Sequence, residues 1–477
     1  MISHDVRSSI TRRDIFKAAS LAVPYGLAAA DSADTAGFRH RAYLGWITDL
    51  DSRPDVHAPW PSMRLDAALL EDYGRTFAAM KRLGYSEIVI WGFYVSRSWP
   101  LDIASAVPGD RGVLVGKLID AAHEHGIRVY TGLGVYSWGF EEIIRANPEL
   151  SRGNPQAMCA SQPQSWEWMR KVIDFAMTRF PVDGASLQSA DQGRCKCSQC
   201  QRWSDSEYHA RLDIHVSEYI RARWPGKTIG VSGWGMRLDE AASLPALVDL
   251  SRHIDYLIDV RDSAGSVGSS WRERLTRELV CSFGTLGGPQ VEPPQHLVRN
   301  GWFLPTVRRG SEHIAKLYAE GGRACEYFFH ILENPGDEIS FWMAGKMLSN
   351  PAIPWQKHLA ASIEELYRPS RRSATDALAE IFIRAEDAYL RYQPSLRSGT
   401  ISIEPLVEDH PGPPVYITKQ LTVEERIQYR KDLRSILADL KEWAQDIPDI
   451  KRVQKISECL SHTVRDVEAS LGKHAVS

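Results

Sequence analysis

The chain reads as an α/β protein, a (β/α)8 TIM barrel followed by a C-terminal α-helical domain. Apolar strand-like runs alternate with helical patterns eight times between residues 40 and 350, the order a closed parallel barrel needs. No G-x-G-x-x-G turn follows the first strand, which argues against a doubly wound nucleotide-binding sheet. Beyond Asn350 the strand-like runs stop and amphipathic helical patterns take over. The expected divisions are a segment at 1–30 outside the fold, the barrel at 40–350 and the helical domain at 351–477.

Each element has a local reason. Ala42–Thr48 is an apolar first strand, and Leu65–Leu83 has helical spacing that stops at Gly84, a helix-ending residue. Glu87–Phe93 is the second strand, Val113–His125 a helix closed by Gly126, and Arg128–Val135 the third strand. Trp166–Phe180 follows as a helix and Gly184–Gln188 as the fourth strand. Ser206–Trp224 is the next helix, with Thr228–Trp234 and Ile254–Asp259 as strands five and six. Glu278–Phe283 is the expected seventh strand, His313–Glu320 a helix and Arg323–Phe329 the eighth strand. Gly284–Pro294, rich in Gly and Pro, is expected to be a loop at the active-site end. Further on, His358–Tyr367, Thr375–Tyr392, Val423–Trp443 and Ile450–Leu471 keep helical spacing, broken by the Pro-rich stretch Arg397–Pro414.

A chain of 477 residues is long enough for one large domain and a smaller one, and its 43% hydrophobic and 25% charged content is ordinary for a globular protein. A net charge of −3 offers no footing for nucleic acid or an acidic membrane surface. No stretch reaches the roughly 18 apolar residues of an integral membrane helix. At the N-terminus, Arg12 and Arg13 precede Ile15, Phe16 and Lys17, followed by an apolar run from Ala18 to Ala30 that ends in three alanines. That order resembles a twin-arginine export signal with its cleavage site, so a periplasmic or secreted location is expected.

The densest chemistry stands after the fourth strand, where Asp191 precedes Cys195, Cys197 and Cys200 in a C-x-C-x-x-C run. Cys159, on the preceding loop, is a candidate fourth thiol. Four thiolates make a closed tetrahedral zinc site, structural rather than catalytic. In an exported protein the same residues can instead pair as disulfides, and free thiols are the third reading. No second cysteine group supports an electron-transferring iron–sulfur centre. Cys281 and Cys325 sit in apolar runs and are expected to be buried free thiols.

Several stretches resemble a known group of barrels. Met158-Cys-Ala-Ser161, Trp166, Val182-Asp183-Gly184 and the cysteine run look like the surroundings of the fourth strand in a group of hypothetical glycosyl hydrolases. That group is related to glycoside hydrolase families 20 and 67. Asn334-Pro335, Glu338–Pro351 and the helix containing Glu364-Glu365-Leu366-Tyr367 are similar to the passage from barrel to helical domain in family 67. The resemblance spans about Tyr43–Tyr392 and implies a sugar-processing barrel. One departure stands out. In family 67 the acid is a Glu closing the fourth strand, whereas here that strand ends in Gln188 and the nearest carboxylate is Asp191.

Glycoside hydrolysis needs two carboxyl groups across the bond, about 5–5.5 Å apart for retention and about 6.5–9.5 Å for inversion. Carboxylates at or after strand ends are Asp49, Asp51, Glu141, Glu142, Asp191, Asp259, Asp262 and Glu326. Asp191 is the expected general acid, with Glu326 or Asp259 as base or nucleophile. The plain alternatives are a loop cap for Asp191, a buried ion pair with an arginine for Glu326 and a salt bridge to Arg261 for Asp259. Glu141 and Glu142 read as the start of the next helix. The chain has 15 Trp, 17 Tyr and 13 Phe, and those near strand ends suit stacking on sugar rings. These are Trp46, Trp91, Tyr94, Tyr136, Trp138, Trp234 and Tyr327, each also readable as core packing. Arg194, Arg261 and His330 are placed to read the carboxylate of a uronic acid. A lyase that abstracts a proton beside a uronate and a non-catalytic carbohydrate-binding barrel are the competing readings. A serine hydrolase is disfavoured, because no G-x-S-x-G turn is present.

Overall fold

The computed structural model describes residues 37–46, 65–95, 98–260, 268–287, 301–328, 334–392 and 421–472. The stretch expected to direct export therefore lies outside the described residues, as do Asp49, Asp51, Arg261, Asp262, His330, residues 288–300 and the Pro-rich stretch 397–414.

Strands and helices alternate as the sequence predicts. The first half runs β1 (His40–Trp46), α1 (Ala67–Leu83), β2 (Glu87–Trp91), α2 (Gly109–Glu124), β3 (Arg128–Gly134), α3 (Glu141–Ala146), α4 (Pro163–Thr178) and β4 (Gly184–Gln188). The second half runs α5 (Asp205–Arg223), β5 (Thr228–Ser232), α6 (Leu244–Ser251), β6 (Tyr256–Asp259), α7 (Ser269–Glu278), β7 (Ser282–Gly287), α8 (Arg309–Ala319) and β8 (Ala324–Phe328). All eight strands are parallel and close into one barrel, β8 pairing back onto β1 through Ala42 and Glu326. Helix ends follow local chemistry. Asp66 accepts the Leu69 N–H at the start of α1, and Gly84 takes φ 86° at its end. Ser204 and Glu207 cap α5 reciprocally.

The seventh strand begins four residues later than expected, at Ser282 rather than Glu278. Closure decides this. Tyr256 pairs with Ser282 and Gly284 with Ala324, and a Cβ at Gly284 would stand 2.0 Å from the Ala324 carbonyl oxygen. Gly284 to Gly287 are therefore strand, not loop.

Side chains alternate across the barrel wall. Ala42, Leu44, Val89, Trp91, Tyr130, Tyr256, Ile258 and Ala324 fill the lumen. Tyr43, Ile88, Ile90, Leu133, Leu187, Val231, Leu257, Cys325 and Tyr327 face the surrounding helices.

Among the described residues five further helices follow: α9 (Pro335–Ser349), α10 (Trp355–Tyr367), α11 (Arg372–Tyr392), α12 (Val423–Trp443) and α13 (Ile450–Ala469). Nearly all of α9 is buried, packed on α1 and β1 as well as on α10 and α13. Residues Ala36–Ser477 form one unit. A glutamate joins barrel to helices. Glu386 of α11 accepts the backbone N–H groups of Val307 (3.1 Å), Arg308 (2.8 Å) and Arg309 (2.7 Å), capping α8 from outside. Among the described residues, no helix is long and apolar enough to cross a membrane.

Candidate functional site

Strand β4 delivers its C-terminal loop against the loop after β3. The four cysteines Cys159, Cys195, Cys197 and Cys200 converge there, their sulfurs all within 4.8 Å of one another. Cys159 and Cys197 are 3.6 Å apart, far beyond a disulfide bond of about 2.05 Å. A tetrahedron with metal–sulfur bonds of about 2.3 Å has edges of about 3.8 Å. The backbone N–H of Cys197 points at the Cys195 sulfur and that of Cys200 at the Cys197 sulfur, at 3.4 and 3.3 Å. Such bonds stabilise thiolates. The cluster can hold a metal ion, and the disulfide alternative does not describe this structure, in which none of these four cysteines is disulfide-bonded.

The loop after β3 is strained. Tyr136 and Trp138 adopt φ 59° and 60°, a region that costs a side-chain-bearing residue about 1 kcal/mol or more. One side chain bridges the two loops. Gln192 accepts the Trp138 N–H (2.9 Å) and donates its amide to Glu141 Oε1 (2.6 Å). Asn154 donates to the carbonyls of Gln192 and Arg194, tying the same stretch to the cysteine loop. Asp191 therefore sits beside Glu141 on a braced loop. It is open to solvent, yet enough protein surrounds it to raise its carboxyl above the usual range, and the Glu141 charge raises it further. The second oxygen of Glu141 is shielded and has no hydrogen-bond partner. Glu142, its neighbour, is exposed.

Inside the lumen lies a second carboxyl. Glu326 is 5% exposed, and its Oε1 accepts the Tyr256 hydroxyl (3.0 Å) from β6 and the Ser186 hydroxyl (3.1 Å) from β4. Burial pushes this carboxyl up to about 7 against those two hydrogen bonds. The arginine pair considered for Glu326 is instead made by Glu87, which lies lower in the lumen and binds Arg128 and His40. Room for the Tyr256 ring comes from Gly230, where a Cβ would stand 2.1 Å from it.

The remaining predicted residues divide clearly. Trp91 and Trp138 meet edge to face at 5.0 Å on the lumen side, and half-buried Trp234 packs against the same cluster. Trp46 pairs with Trp91 through the backbone, and its side chain lies outside the described part. Tyr94 departs from the expected rim position. It sits between strand and helix, among Trp99, Phe175 and Phe180, and donates its hydroxyl to Ala176. Tyr327 faces the helices too, because it alternates with inward Glu326. Asp259 alternates with inward Ile258, so it also points away from the lumen, 1% exposed. Tyr136 packs beside the thiols, with Cys159 and Cys200 as neighbours. Arg194 is spent on Asp205 and on the carbonyls of Cys200 and Trp203. Asp191 and Glu326 make no contact with each other among the described hydrogen bonds: the charged neighbour of Asp191 is Glu141, and that of Glu326 is Glu87. Sequence reasoning missed Gln192 and Tyr256, and it read Glu141 only as a helix start. Only Tyr256 left a signal, two residues before Asp259's inward neighbour Ile258.

No protein-family model matches the chain, and no curated protein matches it. Among solved structures it is similar to a mutant of the Thermobaculum terrenum O-GlcNAc hydrolase, at 13% identity and TM-score 0.50, covering 86% of this chain and 77% of that one. A GH138 enzyme targeting pectin rhamnogalacturonan II is similar at 11% identity and TM-score 0.58, covering 92% of this chain and 59% of that one. The chain thus spans about three-fifths of that second protein's length. At such identities the likeness establishes the fold, a closed eight-stranded barrel with a C-terminal helical region.

Proposed function

We propose that the chain is an exported glycoside hydrolase acting on a poly- or oligosaccharide at the mouth above β3 and β4. The observation that carries the reading is the Asp191–Glu141 pair, one carboxyl on the loop after β4 and one opening α3, with Gln192 hydrogen-bonded to Glu141. The fold shared with glycoside hydrolases and the sequence resemblance to the family 20 and 67 group support it.

Asp191, its carboxyl raised by its surroundings and by Glu141, is the general acid that delivers a proton to the glycosidic oxygen as the bond breaks. Glu141, oriented by the Gln192 amide, presents its unpartnered oxygen as base or nucleophile. It replaces Glu326 and Asp259 in that role. Asp259 faces the helices, and Glu326 is engaged by two hydroxyl groups within the lumen. Trp91, Trp138 and Trp234 supply the apolar faces on which sugar rings stack.

The four thiols hold a structural zinc ion that fixes the loop carrying Asp191 and takes no part in bond cleavage. Elemental analysis of the purified chain is expected to find one zinc, lost in Cys197→Ser. Export is tested by fractionating cells that carry the chain with Arg12 and Arg13 intact or replaced by Lys.

Assay against a panel of glycans decides the main reading. Asp191→Asn and Glu141→Gln are each expected to lower hydrolysis by about 10²- to 10⁴-fold while the fold persists. Unchanged hydrolysis in both variants sinks the assignment. Unsaturated, ultraviolet-absorbing products would instead identify a lyase, and sugar binding without turnover a binding barrel.

A further inference from the structure

The four sulfurs of the cysteine cluster are not equivalent. Cys159, Cys195 and Cys200 are 0% exposed, and Cys197 alone of the four is half-buried. A small molecule arriving from solvent therefore meets Cys197 first. Cys200 has the buried rings of Tyr136 and Tyr208 as neighbours. Cys195 is turned to the protein, its thiol directed at the Arg152 carbonyl (3.8 Å) and its sulfur accepting the Cys197 N–H (3.4 Å). The edge from Cys197 to Cys159 is different. Exposed Ser161 stands along it, its hydroxyl 3.5 Å from the Cys197 sulfur and 3.0 Å from that of Cys159.

That edge also joins two loops. Cys159 follows β3 and Cys197 follows β4, 38 residues apart in sequence, and their sulfurs lie 3.6 Å apart. A disulfide needs about 2.05 Å, so each sulfur has only about 0.8 Å to travel. Access to solvent, a hydrogen-bond donor at the sulfur and a second thiol within reach together make a cysteine open to oxidation. Cys197 has all three, the donor being the Cys200 N–H at 3.3 Å. Cys325 and Cys459, 1% and 5% exposed in β8 and α13, lack the first.

We propose that Cys197 is a modification site for peroxides, and that its oxidation exchanges a bound metal for a Cys197–Cys159 cross-link between the two loops. The exchange rests on the zinc reading of the cluster given above. The Cys197 sulfur attacks one oxygen of hydrogen peroxide. The O–O bond breaks, a sulfenic acid forms on Cys197 and hydroxide leaves. The Cys159 sulfur then attacks the sulfenic sulfur, the S–S bond forms as the S–O bond breaks, and a second hydroxide leaves. Two sulfurs thus lose two electrons, and the peroxide gains them. Cys195 and Cys200 remain, two thiolates where a closed tetrahedral site needs four, so the cluster lets its metal go. The loop carrying Asp191 stays tied to the loop after β3, now by a covalent bond.

Treatment of the purified full chain with hydrogen peroxide tests this. A zinc-sensitive dye reads the metal, and peptide mapping by mass spectrometry, after the remaining thiols are blocked, reads the cysteines. One zinc per chain is expected in solution, in step with a joined Cys197–Cys159 peptide pair two hydrogens lighter than its separate halves. Dithiothreitol with added zinc should restore the starting mass, and Cys325 and Cys459 should remain thiols throughout. A chain without zinc at the outset would refute the zinc reading alone, and the peptide map would still decide the pairing. Zinc retained under peroxide, or Cys197 joined to Cys195 or Cys200 in place of Cys159, overturns the proposal. No hydrolysis is measured, so the outcome is separate from the role given to Asp191.

Discussion

The mouth above β3 and β4 and the seam between α11 and α8 both use carboxylates, and they use them in opposite ways. At the seam, Glu386 gives both oxygens to three backbone N–H groups at the start of a helix. At the mouth, Glu141 keeps one oxygen without a partner, and Asp191 stays open to solvent beside it. The seam is an architectural joint, where an unfilled hydrogen bond would only cost stability. A partly unsatisfied carboxyl pair at a strand's C-terminal end is instead prepared to act on something else. Glu326 lies between these cases. Like Glu386 it is pushed up to about 7 by burial, but its partners are hydroxyl groups, which can donate or accept as its proton comes and goes.

Substitutions should separate the two regions, and Glu386→Ala should have the largest effect. It strands three helix N–H groups in a buried place and is expected to cost on the order of 3 kcal/mol in urea unfolding. Glu386→Gln keeps an acceptor and should cost about 1 kcal/mol. A negligible loss in the alanine variant would mean that α11 does not hold α8.

Glu326 sharpens the comparison through pH. Its folded value lies above its unfolded one, so its contribution is complete below about 4.5 and lost as pH rises through about 7. The stability difference between Glu326→Gln and the parent should therefore change with pH. The amide should become relatively more stabilising from pH 5 to pH 8, by up to roughly 3 kcal/mol. A difference that stays flat over that range would show that Glu326 does not titrate there.

The smallest stability effects belong to the mouth. Glu141→Gln is expected to change unfolding free energy by no more than about 0.5 kcal/mol, within the range for surface positions. It should still lower the pH at which Asp191 loses its proton, read from the carboxyl carbon signal in NMR, because it removes a neighbouring negative charge. Glu142→Gln, on the exposed side of α3, is the control that should leave both readings alone.

Legibility from sequence follows the range of the forces involved. Strand and helix order, the helix end at Gly84, the C-terminal helices and the convergence of Cys159 with the C-x-C-x-x-C run all depend on neighbours in the chain or on one adjacent loop. They could be read from residues in order. Tyr94, Tyr327 and Asp259 could not be placed that way, because the face each residue presents depends on the phase of its strand within the closed barrel. A shift of one position exchanges lumen for helix layer. The start of β7 at Ser282 and the clasp of Glu386 on α8 rest on partners more than 70 residues away or on a register fixed only when the barrel closes. Sequence alone thus determined which elements form and which thiols meet. Tertiary structure alone decided which carboxyl groups share a pocket, since pocket geometry is set by strand register and packing rather than by the composition of any one segment.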